Sequence, residues 1–421
     1  MRFRSYLLPA AIIAVGLALR LYQLEQRADF GFDQEVAAWW VRNLLVDHKF
    51  SLIGQEISVG GVYIGPFFYY FLSLFYYLFR LDPVAGNIMV TATSLLTMIL
   101  IYCLSRRLFD QKTAVVSLFL YAISYRLIIY DRIVAPSNWV MLSAIAVCLF
   151  LLERRYLLLG VVVGLTLSIH PTAVLLFPIV AIYLLWNKIK PTFSQLISFL
   201  SPVIILVLPL LFFDLRHNYL NVSGALSAIS SAEFLPSAYP FLFKFFVNLR
   251  IIATSFGQIL LPSDLVWIKY PLIALLIFAF AKAKIHRQIL FFWVIIPAIF
   301  LSFYRQHVPE YYFLISFPIL LIFFSHFVAR YKILFLFLIL FTVISLQRFS
   351  LDKNLLSLSY KKAAVKSIAD RSQGMPVQIK IEANLGQNTG FNYLIYFYHV
   401  KIDPNAKNKF TIFVDDRVKV I

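Results

Sequence analysis

The sequence has few of the features of a soluble or disulfide-stabilised protein. Only 2 cysteines occur among its 421 residues, Cys103 and Cys148. Both fall inside long apolar runs, so nothing indicates a disulfide or a cysteine metal site. Charged residues make up only 14% of the chain, and only 20 residues are acidic. An ordinary soluble domain, with about a quarter of its residues charged, is therefore excluded.

Apolar residues dominate instead. The chain is 61% hydrophobic and 17% aromatic, with a mean hydropathy of +0.81, whereas soluble domains are about 45–50% apolar. This composition predicts an all-α polytopic membrane protein, because helices that cross a bilayer need long apolar segments.

The formal net charge of +18 might indicate a nucleic-acid partner. Most of the basic residues, however, lie in short groups beside apolar segments, as cytoplasmic anchors do under the positive-inside rule. The sequence therefore indicates no nucleic-acid partner. The groups are Arg2 and Arg4; Arg106, Arg107 and Lys112; Arg154 and Arg155; Lys188 and Lys190; Lys282, Lys284 and Arg287; and Arg330 and Lys332.

With these groups placed in the cytoplasm, the apolar pattern predicts about 11 transmembrane helices in a plasma-membrane protein. The N-terminus is then cytoplasmic and the C-terminus extracytoplasmic. His170-Pro171 predicts a break between two short helices, with a single kinked helix as the alternative. The predicted spans are 5–23, 87–104, 113–130, 138–152, 157–169, 173–186, 192–213, 266–282, 288–304, 311–329 and 333–347.

Two further apolar segments, 62–79 and 238–260, do not fit as crossings, because either one would move a later basic group outside. They are predicted to be interfacial or re-entrant, although segment 62–79 could also be an ordinary lipid-facing helix. Residues Glu35 to Val46 alternate apolar and polar side chains. That pattern predicts an amphipathic helix lying on the membrane.

The tail loses the long apolar runs. We therefore divide the chain into a transmembrane domain, 1–347, and a small extracytoplasmic α/β domain, 348–421. The tail is predicted to contain a helix around 360–371 and β-strands at Val377–Ile381, Tyr393–Val400 and Phe410–Val414, where β-branched and aromatic residues concentrate.

Two carboxylates directly follow the first predicted span, in the motif Gly31-Phe32-Asp33-Gln34-Glu35. Ionised groups at a membrane edge are costly, which points to a function. Asp33 is the candidate catalytic residue. The alternative is a helix N-cap, a position that Asp often occupies.

Three more motifs accompany it: Gly65-Pro66-Phe67-Phe68-Tyr69-Tyr70, Arg106-Arg107-Leu108-Phe109, and the run from Asp131-Arg132 through Pro136-Ser137-Asn138. Together the four motifs resemble the GT-C membrane glycosyltransferases over roughly residues 1–330. Within that group the chain is most similar to family 39, or protein-mannosyltransferase-like, proteins that use polyprenyl-phosphate sugars, and to the related lipid A aminoarabinose transferases.

The resemblance implies that Asp33 is the catalytic carboxylate. The family commonly has adjacent Asp-Glu, whereas Gln34 intervenes here, so Glu35 carries over only as a substrate contact. A carboxylate can accept the acceptor's proton during attack on the sugar. A phosphate leaving group needs no acid, so one carboxylate suffices and no cofactor or metal is implied. The alternative is a divalent ion shared by Asp33, Glu35 and Asp131.

Other polar residues in the predicted outer loops are candidate substrate contacts, because cations and donors placed there would stabilise the leaving phosphate. For each, an ion pair, a helix cap, a core histidine or a solvated surface charge is the alternative. The candidates are Asp131, Arg132, Asn138, His170, Arg216, His217, Arg305, His307 and Tyr311.

The expected function is an integral membrane glycosyltransferase that moves a sugar from a polyprenyl-phosphate donor to a lipid, glycan or protein acceptor on the outer membrane face, with inversion. A polytopic lipid or sugar transporter or flippase is the alternative. No inverted repeat is visible in the sequence, which favours the transferase.

Overall fold

The computed structural model describes residues 4–57, 60–230, 240–262, 287–304, 308–331, 334–384, 386–414 and 418–420. Helices dominate these ranges. The α-helices are α1 Arg4–Leu21, α2 Leu24–Arg27, α3 Phe32–Leu45, α4 Phe67–Leu78, α5 Val84–Leu108, α6 Gln111–Ile123, α7 Tyr125–Tyr130, α8 Trp139–Leu152, α9 Tyr156–Ile169, α10 Leu176–Trp186, α11 Phe193–Arg216, α12 Leu220–Ser230, α13 Phe241–Leu260, α14 Arg287–Ser302, α15 Phe317–Arg330, α16 Phe335–Leu351, α17 Leu358–Ser372 and α18 Phe391–Phe397.

Three short 3₁₀ helices complete the helical part: Pro136–Asn138, Pro171–Leu175 and Glu310–Phe313. Each begins in a connection that was predicted to be an outer loop, and two of them, Pro171–Leu175 and Glu310–Phe313, extend into the predicted spans 173–186 and 311–329. All three supply residues to the site described below.

Among the described residues, α5 and α11 are long and apolar enough to cross a membrane by length and composition. Both coincide with predicted spans. Nine other apolar helical stretches are shorter, at 10–17 residues. The predicted span 266–282 lies outside the described residues, so the number of crossings and the orientation of the termini stay predictions.

The helix breaks follow local chemistry. The break predicted at His170-Pro171 is confirmed: α9 ends at Ile169 and a 3₁₀ helix begins at Pro171, since proline cannot donate to the preceding turn. The stretch predicted as one span at 113–130 is not a single helix. It divides at Ser124, whose hydroxyl donates to Ile259 O at 2.7 Å and accepts from Leu127 N at 3.5 Å.

The two segments predicted as interfacial or re-entrant form helices α4 and α13. Helix α13 packs on α14, where Asn248 Nδ2 donates to Ala298 O at 3.1 Å. Their position relative to a membrane stays a prediction. The predicted amphipathic helix is α3, which starts three residues earlier than expected.

Two hydrophobic clusters hold the described residues together. The first joins α5, α6, α8 to α10 and α13 to α16, with Trp293, Phe256 and Phe324 among its large buried side chains. The second joins α3, α4 and the start of α5 to the tail. The predicted boundary at 347/348 thus runs through α16, and the tail shares a core with residues near the N-terminus.

The tail contains α17, α18 and a three-stranded sheet of β1 Val377–Ala383, β2 Asn408–Val414 and β3 Val418–Val420, in that order. Strand β1 pairs parallel to β2, and β2 pairs antiparallel to β3. The strand predicted at Tyr393–Val400 is wrong, because the first five of those residues belong to helix α18, which ends at Phe397. Phe391, Tyr393 and Leu394 on one side of α18 are fully buried, at helical rather than strand spacing.

Candidate active site

Asp33 lies in the first turn of α3, which its neighbours fix in place. Gly31 occupies the N-cap position, and its backbone N–H donates to Gln34 Oε1 at 3.0 Å. Gln34 Nε2 in turn donates to Val134 O at 3.0 Å, which ties this turn to the loop after α7. The N-cap alternative for Asp33 is therefore wrong, and the intervening Gln34 is the residue that orients the motif.

The Asp33 side chain is exposed to a cavity rather than to the core. Its Oδ1 accepts a hydrogen bond of 3.4 Å from Gln55 Nε2. The surrounding walls desolvate the carboxyl and raise the pKa of Asp33 above its ordinary value, while the Gln55 bond opposes that rise. A raised pKa is what a carboxylate needs to accept a proton effectively near neutral pH.

The cavity has a volume of about 350 Å³. Its walls come from five places: α3, the segment 54–65, of which residues 54–57 and 60–65 are described, the loop after α7, the break between α9 and α10, and the 3₁₀ helix at Glu310. It is lined by Asp33, Gln55, Glu56, Ile57, Ile64, Tyr130, Ile133, Ala135, Pro136, Ser137, Asn138, Ile169, His170, Pro171, Tyr311 and Tyr312. Four of the predicted site residues, Asp33, Asn138, His170 and Tyr311, therefore meet at one cavity.

Segment 54–65 forms one wall and brings two polar side chains that sequence reasoning missed, Gln55 and Glu56. Ile64 N donates to Gln55 O at 3.1 Å, and Glu56 Oε1 accepts from Gly61 N at 2.6 Å. Gly65 lets this wall approach α9 closely: its N–H donates to Ser168 O at 2.6 Å, and a Cβ there would lie 1.9 Å from Ser168 Oγ. Only glycine fits that approach.

His170 contributes a neutral ring to the wall. Its Nδ1 lies 2.8 Å from Thr172 Oγ1 and accepts from Thr172 N at 3.3 Å, an arrangement that favours the neutral tautomer with its proton on Nε2. Burial lowers the pKa of His170 to about 4. The ring stands edge-on to Tyr311 and Tyr312, with centroid distances of 6.3 Å and 5.7 Å. His170 is therefore a hydrogen-bond donor at neutral pH, and not a fixed cation.

Asn138 shapes the opposite wall. Its Nδ2 donates to Tyr130 O at 2.7 Å and to Ile133 O at 2.9 Å, which closes the loop between α7 and α8. The side chain is part-buried and also lines the cavity. Asn138 is therefore a loop-closing residue whose position forms part of the cavity surface.

Asp131 and Arg132 were expected at the substrate, but both point into the protein. Asp131 pairs with Arg20 of α1, with Nη2 to Oδ2 at 2.7 Å, and accepts from Tyr121 Oη at 3.0 Å. The Arg132 guanidinium donates to Arg20 O at 3.2 Å and to Leu19 O at 2.5 Å. Neither residue lines the cavity. Their contacts instead dock the end of α1 on α6 and α7.

Three more candidates also lie away from the cavity. Glu35 is buried at 7% exposure and accepts hydrogen bonds from Gly390 N and Tyr393 N in the tail. Arg216 and His217 are exposed at the end of α11, where His217 stacks on Phe213 at 4.1 Å. Arg305 and His307 lie outside the described residues.

The alternative of one ion shared by Asp33, Glu35 and Asp131 does not fit this geometry. Glu35 faces the tail and Asp131 faces Arg20, while Asp33 alone faces the cavity. Within the part of the chain that the structure describes, no group of three or more His, Cys, Asp or Glu side chains converges.

Glu310, which the sequence groups with Arg305 and His307 in one predicted outer loop, directly precedes the cavity-lining Tyr311 but does not itself line the cavity. Glu310 forms an ion pair with Arg126 and accepts from Tyr130 Oη at 2.8 Å and Ser255 Oγ at 3.3 Å. Burial raises the pKa of Glu310, but the Tyr130 bond and the Arg126 charge outweigh it and leave that pKa below its ordinary value. No lysine or arginine among the described residues lines the cavity. Arg126 does not line the cavity but pairs with Glu310, next to Tyr311 of the cavity wall.

Comparison with known proteins gives one family match and several matches to solved structures. Residues 64–213 match the family described as dolichyl-phosphate-mannose-protein mannosyltransferase. No match was found among curated protein sequences.

Among solved structures, the chain is similar to ArnT from Cupriavidus metallidurans bound to undecaprenyl phosphate, at 11% identity and a TM-score of 0.65, covering 96% of this chain and 92% of ArnT. The apo state of ArnT gives 12% identity and a TM-score of 0.61, with 97% and 93% coverage. The chain has the GT-C fold. The resemblance inferred from the four motifs is confirmed.

The same GT-C fold extends to a larger protein. The Archaeoglobus fulgidus oligosaccharyltransferase, in its complex with Zn and sulfate, matches at 14% identity and a TM-score of 0.51. The alignment covers 94% of this chain but only 62% of that protein. The ArnT match, which spans nearly all of both chains, is therefore the better guide to the arrangement of the GT-C elements.

Proposed function

We propose that the chain is an integral membrane glycosyltransferase that moves a sugar from a polyprenyl-phosphate donor to a lipid, glycan or protein acceptor on the outer face of the plasma membrane. Two observations support the donor class. The ArnT structure with the same fold was solved with undecaprenyl phosphate, and the family matched at 64–213 is described by a dolichyl-phosphate sugar.

The single observation that carries the proposal is the placement of Asp33. Its carboxylate faces the cavity, is held by Gln55 and has a raised pKa. No other carboxylate of the motif faces the same space, since Glu35 is turned into the tail. A base with this exposure and pKa suits the removal of a proton from an acceptor hydroxyl or amine.

In the proposed reaction, the acceptor heteroatom attacks C1 of the sugar while Asp33 takes its proton. The bond between C1 and the phosphate oxygen breaks, and polyprenyl phosphate leaves with the electron pair. Attack opposite the leaving group inverts C1. Because the leaving group is already an anion, no general acid is required, in agreement with the neutral His170.

The remaining cavity residues bind and orient in this proposal. His170 Nε2–H and the hydroxyl of Tyr311 are donors for sugar or phosphate oxygens, and the rings of Tyr311 and Tyr312 give flat faces for the sugar. Glu56 and Ser137 provide acceptors on the facing walls. Orientation matters because correctly held reactants gain a large rate advantage.

The leaving phosphate gains charge in the transition state, so a cation near it would stabilise that state. Arg305 and His307 remain the proposed groups by chain position, because they directly precede Val308 and the 3₁₀ helix that carries Tyr311. Arg126 reaches the same 3₁₀ helix through Glu310. Arg132 no longer belongs to this group, since carbonyl oxygens of α1 occupy its guanidinium.

The test uses purified protein in proteoliposomes with a polyprenyl-phosphate sugar labelled in the sugar. A transferase moves the label into an acceptor fraction and releases polyprenyl phosphate. The rival transporter would move the intact donor across the bilayer with no cleavage of the bond at C1. Transbilayer movement without release of polyprenyl phosphate would overturn the proposal.

A further inference from the structure

The segment that carries Asp33 is held by the tail of the chain at successive points. Ala28 O accepts a hydrogen bond from Leu358 N at 2.9 Å, and Asp29 Oδ1 accepts one from Asn354 Nδ2 at 2.5 Å. Further along, Phe30 and Glu35 are held as well. These donors all lie more than 300 residues later in the sequence, so the contacts exist only once the tail has docked.

Lys361 provides the strongest of these ties. Its side chain is buried, at 4% exposure, and its Nζ donates to Phe30 O and to Thr389 O, both at 2.8 Å. A buried ammonium requires such partners, and hydrogen bonds from a charged donor are stronger than neutral ones. One atom of α17 therefore joins the Asp33 segment to the turn before α18.

Glu35 holds the same segment from the other side. Its Oε2 accepts from Gly390 N at 2.7 Å and its Oε1 accepts from Tyr393 N at 2.8 Å. These N–H groups open α18 and have no partner within that helix. Glu35 thus caps a helix of the tail while standing two residues from Asp33 on α3.

Gly390 fixes how closely the two parts approach. Its φ is +87°, and a Cβ at this position would lie 2.1 Å from Phe30 O. A side chain there would require both an unfavourable backbone conformation and a shift of the Asp33 segment. The close contact is therefore specific to glycine.

We propose that residues 354–361 and 389–393 of the tail are a positioning element of the catalytic site, in which Lys361 and Gly390, together with Glu35 of α3, hold the first turn of α3 so that Asp33 faces the cavity. This inference rests on the proposed role of Asp33 as the base. Lys361 and Glu35 are positioning residues, since neither lines the cavity. A displacement of about 1 Å from productive geometry can reduce turnover by ~10²-fold.

The test compares Gly390→Ala with Gly374→Ala in the full-length protein. Both glycines have positive φ, +87° and +78°, but a Cβ at Gly374 meets nothing within 4 Å. The positive φ is thus matched, and the two positions differ in the contacts of the added Cβ, which at Gly390 would meet Phe30 O at 2.1 Å and Lys361 Nζ at 3.1 Å. Gly390→Ala is expected to lower kcat by ~10²-fold with little change in KM, and to increase amide hydrogen exchange in residues 28–36. Gly374→Ala should match the wild type in both respects.

A second pair of variants covers the case in which Gly390→Ala does not fold. Lys361→Met removes both hydrogen bonds, whereas Lys361→Arg keeps a cation with several donors, so kcat should fall in the first and recover in the second. Lys366→Met is the control, because Lys366 is exposed on the same helix. Wild-type kcat together with wild-type hydrogen exchange in Lys361→Met, or equal loss of kcat in Lys361→Met and Lys361→Arg, would overturn the inference.

Hydrogen exchange separates this inference from the proposed function. It reports on residues 28–36 whether or not Asp33 is the base. Increased exchange in residues 28–36 without any change in turnover would mean that the positioning element holds this segment but that Asp33 is not catalytic. Unchanged exchange in a folded Gly390→Ala variant would overturn the positioning role itself.

Discussion

The side-chain amide of Gln55 donates to the Asp33 carboxylate across 3.4 Å, and thus joins the wall of segment 54–65 to the first turn of α3. This bond stabilises the ionised form of Asp33, while desolvation by the cavity walls favours the neutral form. The two effects together set the pH range in which Asp33 can act as a base.

Gln55→Ala should therefore move the pH dependence of the reaction. Loss of the bond raises the pKa of Asp33 further, and the base must be ionised to work, so the acid limb of kcat/KM shifts to higher pH. The measurement is a pH profile of both proteins. Gln111→Ala is the control, because Gln111 donates to Tyr102 Oη at 2.7 Å and does not line the cavity. An unchanged acid limb in Gln55→Ala would show that the bond does not tune the base.

Asp131→Ala should affect stability rather than chemistry. Removing one partner of a buried ion pair leaves Arg20 uncompensated at 0% side-chain exposure, which costs about 3–5 kcal/mol. The purified variant in detergent should unfold at a lower denaturant concentration than the wild type. The KM for the donor should be unchanged in the folded fraction.

The double variant Arg20→Met with Asp131→Leu is the matched control, because it removes both charges and leaves none buried without a partner. It should recover part of the lost stability. A rise in donor KM at unchanged stability would instead return Asp131 to the substrate site.

The two outer arginines should differ in their effect on donor binding. Arg305→Ala should weaken binding of polyprenyl phosphate by roughly 10-fold or more, as expected for a lost hydrogen bond from a charged group. Arg216→Ala should not, because Arg216 is exposed at the end of α11 and does not line the cavity. Equilibrium binding of polyprenyl phosphate checks both, and equal weakening would contradict this assignment.

The predicted orientation places the tail outside the cytoplasm. Met375→Cys introduces a thiol at a position that is 52% exposed. It should react with an impermeant thiol reagent in intact cells. Labelling only after permeabilisation would overturn the eleven-span topology, and with it the outer-face placement of the cavity.

Local signals in the sequence predicted what depends on local chemistry. His170-Pro171 predicted a helix break, because proline cannot donate to the preceding turn. Proline alone does not decide this, since Pro202 and Pro209 lie inside the continuous helix α11. The break at Ser124 had no such signal, since its hydroxyl bonds to Ile259, 135 residues away. Tyr393 was assigned to a strand because of its aromatic neighbours. The residues there form a helix instead, whose first N–H groups donate to the distant Glu35 carboxylate.

The site was predictable to the same extent. Asp33 was predicted as a site residue because its motif follows an apolar span, and its side chain faces the cavity, while its catalytic role stays a prediction. Asp131 and Arg132 carry the same kind of signal, but their partners are 111 and 112 residues distant, at Arg20. No composition or spacing reveals such a pairing. Gln55 and Glu56 were missed because only the folded position of segment 54–65 brings their side chains to the cavity.

The most direct test of the account is the turnover of Asp33→Asn beside Glu35→Gln, in a transfer assay with purified protein and a polyprenyl-phosphate sugar. The asparagine keeps the size of the side chain and the acceptor for Gln55 but cannot take the proton. Asp33→Asn should therefore lose activity by ~10²–10⁴-fold with folding intact. Glu35→Gln should lose less activity, since Glu35 acts only by holding α3 against the tail. Near-normal activity in Asp33→Asn would contradict the account, and if Glu35→Gln were inactive at the same time, the base would be the other carboxylate.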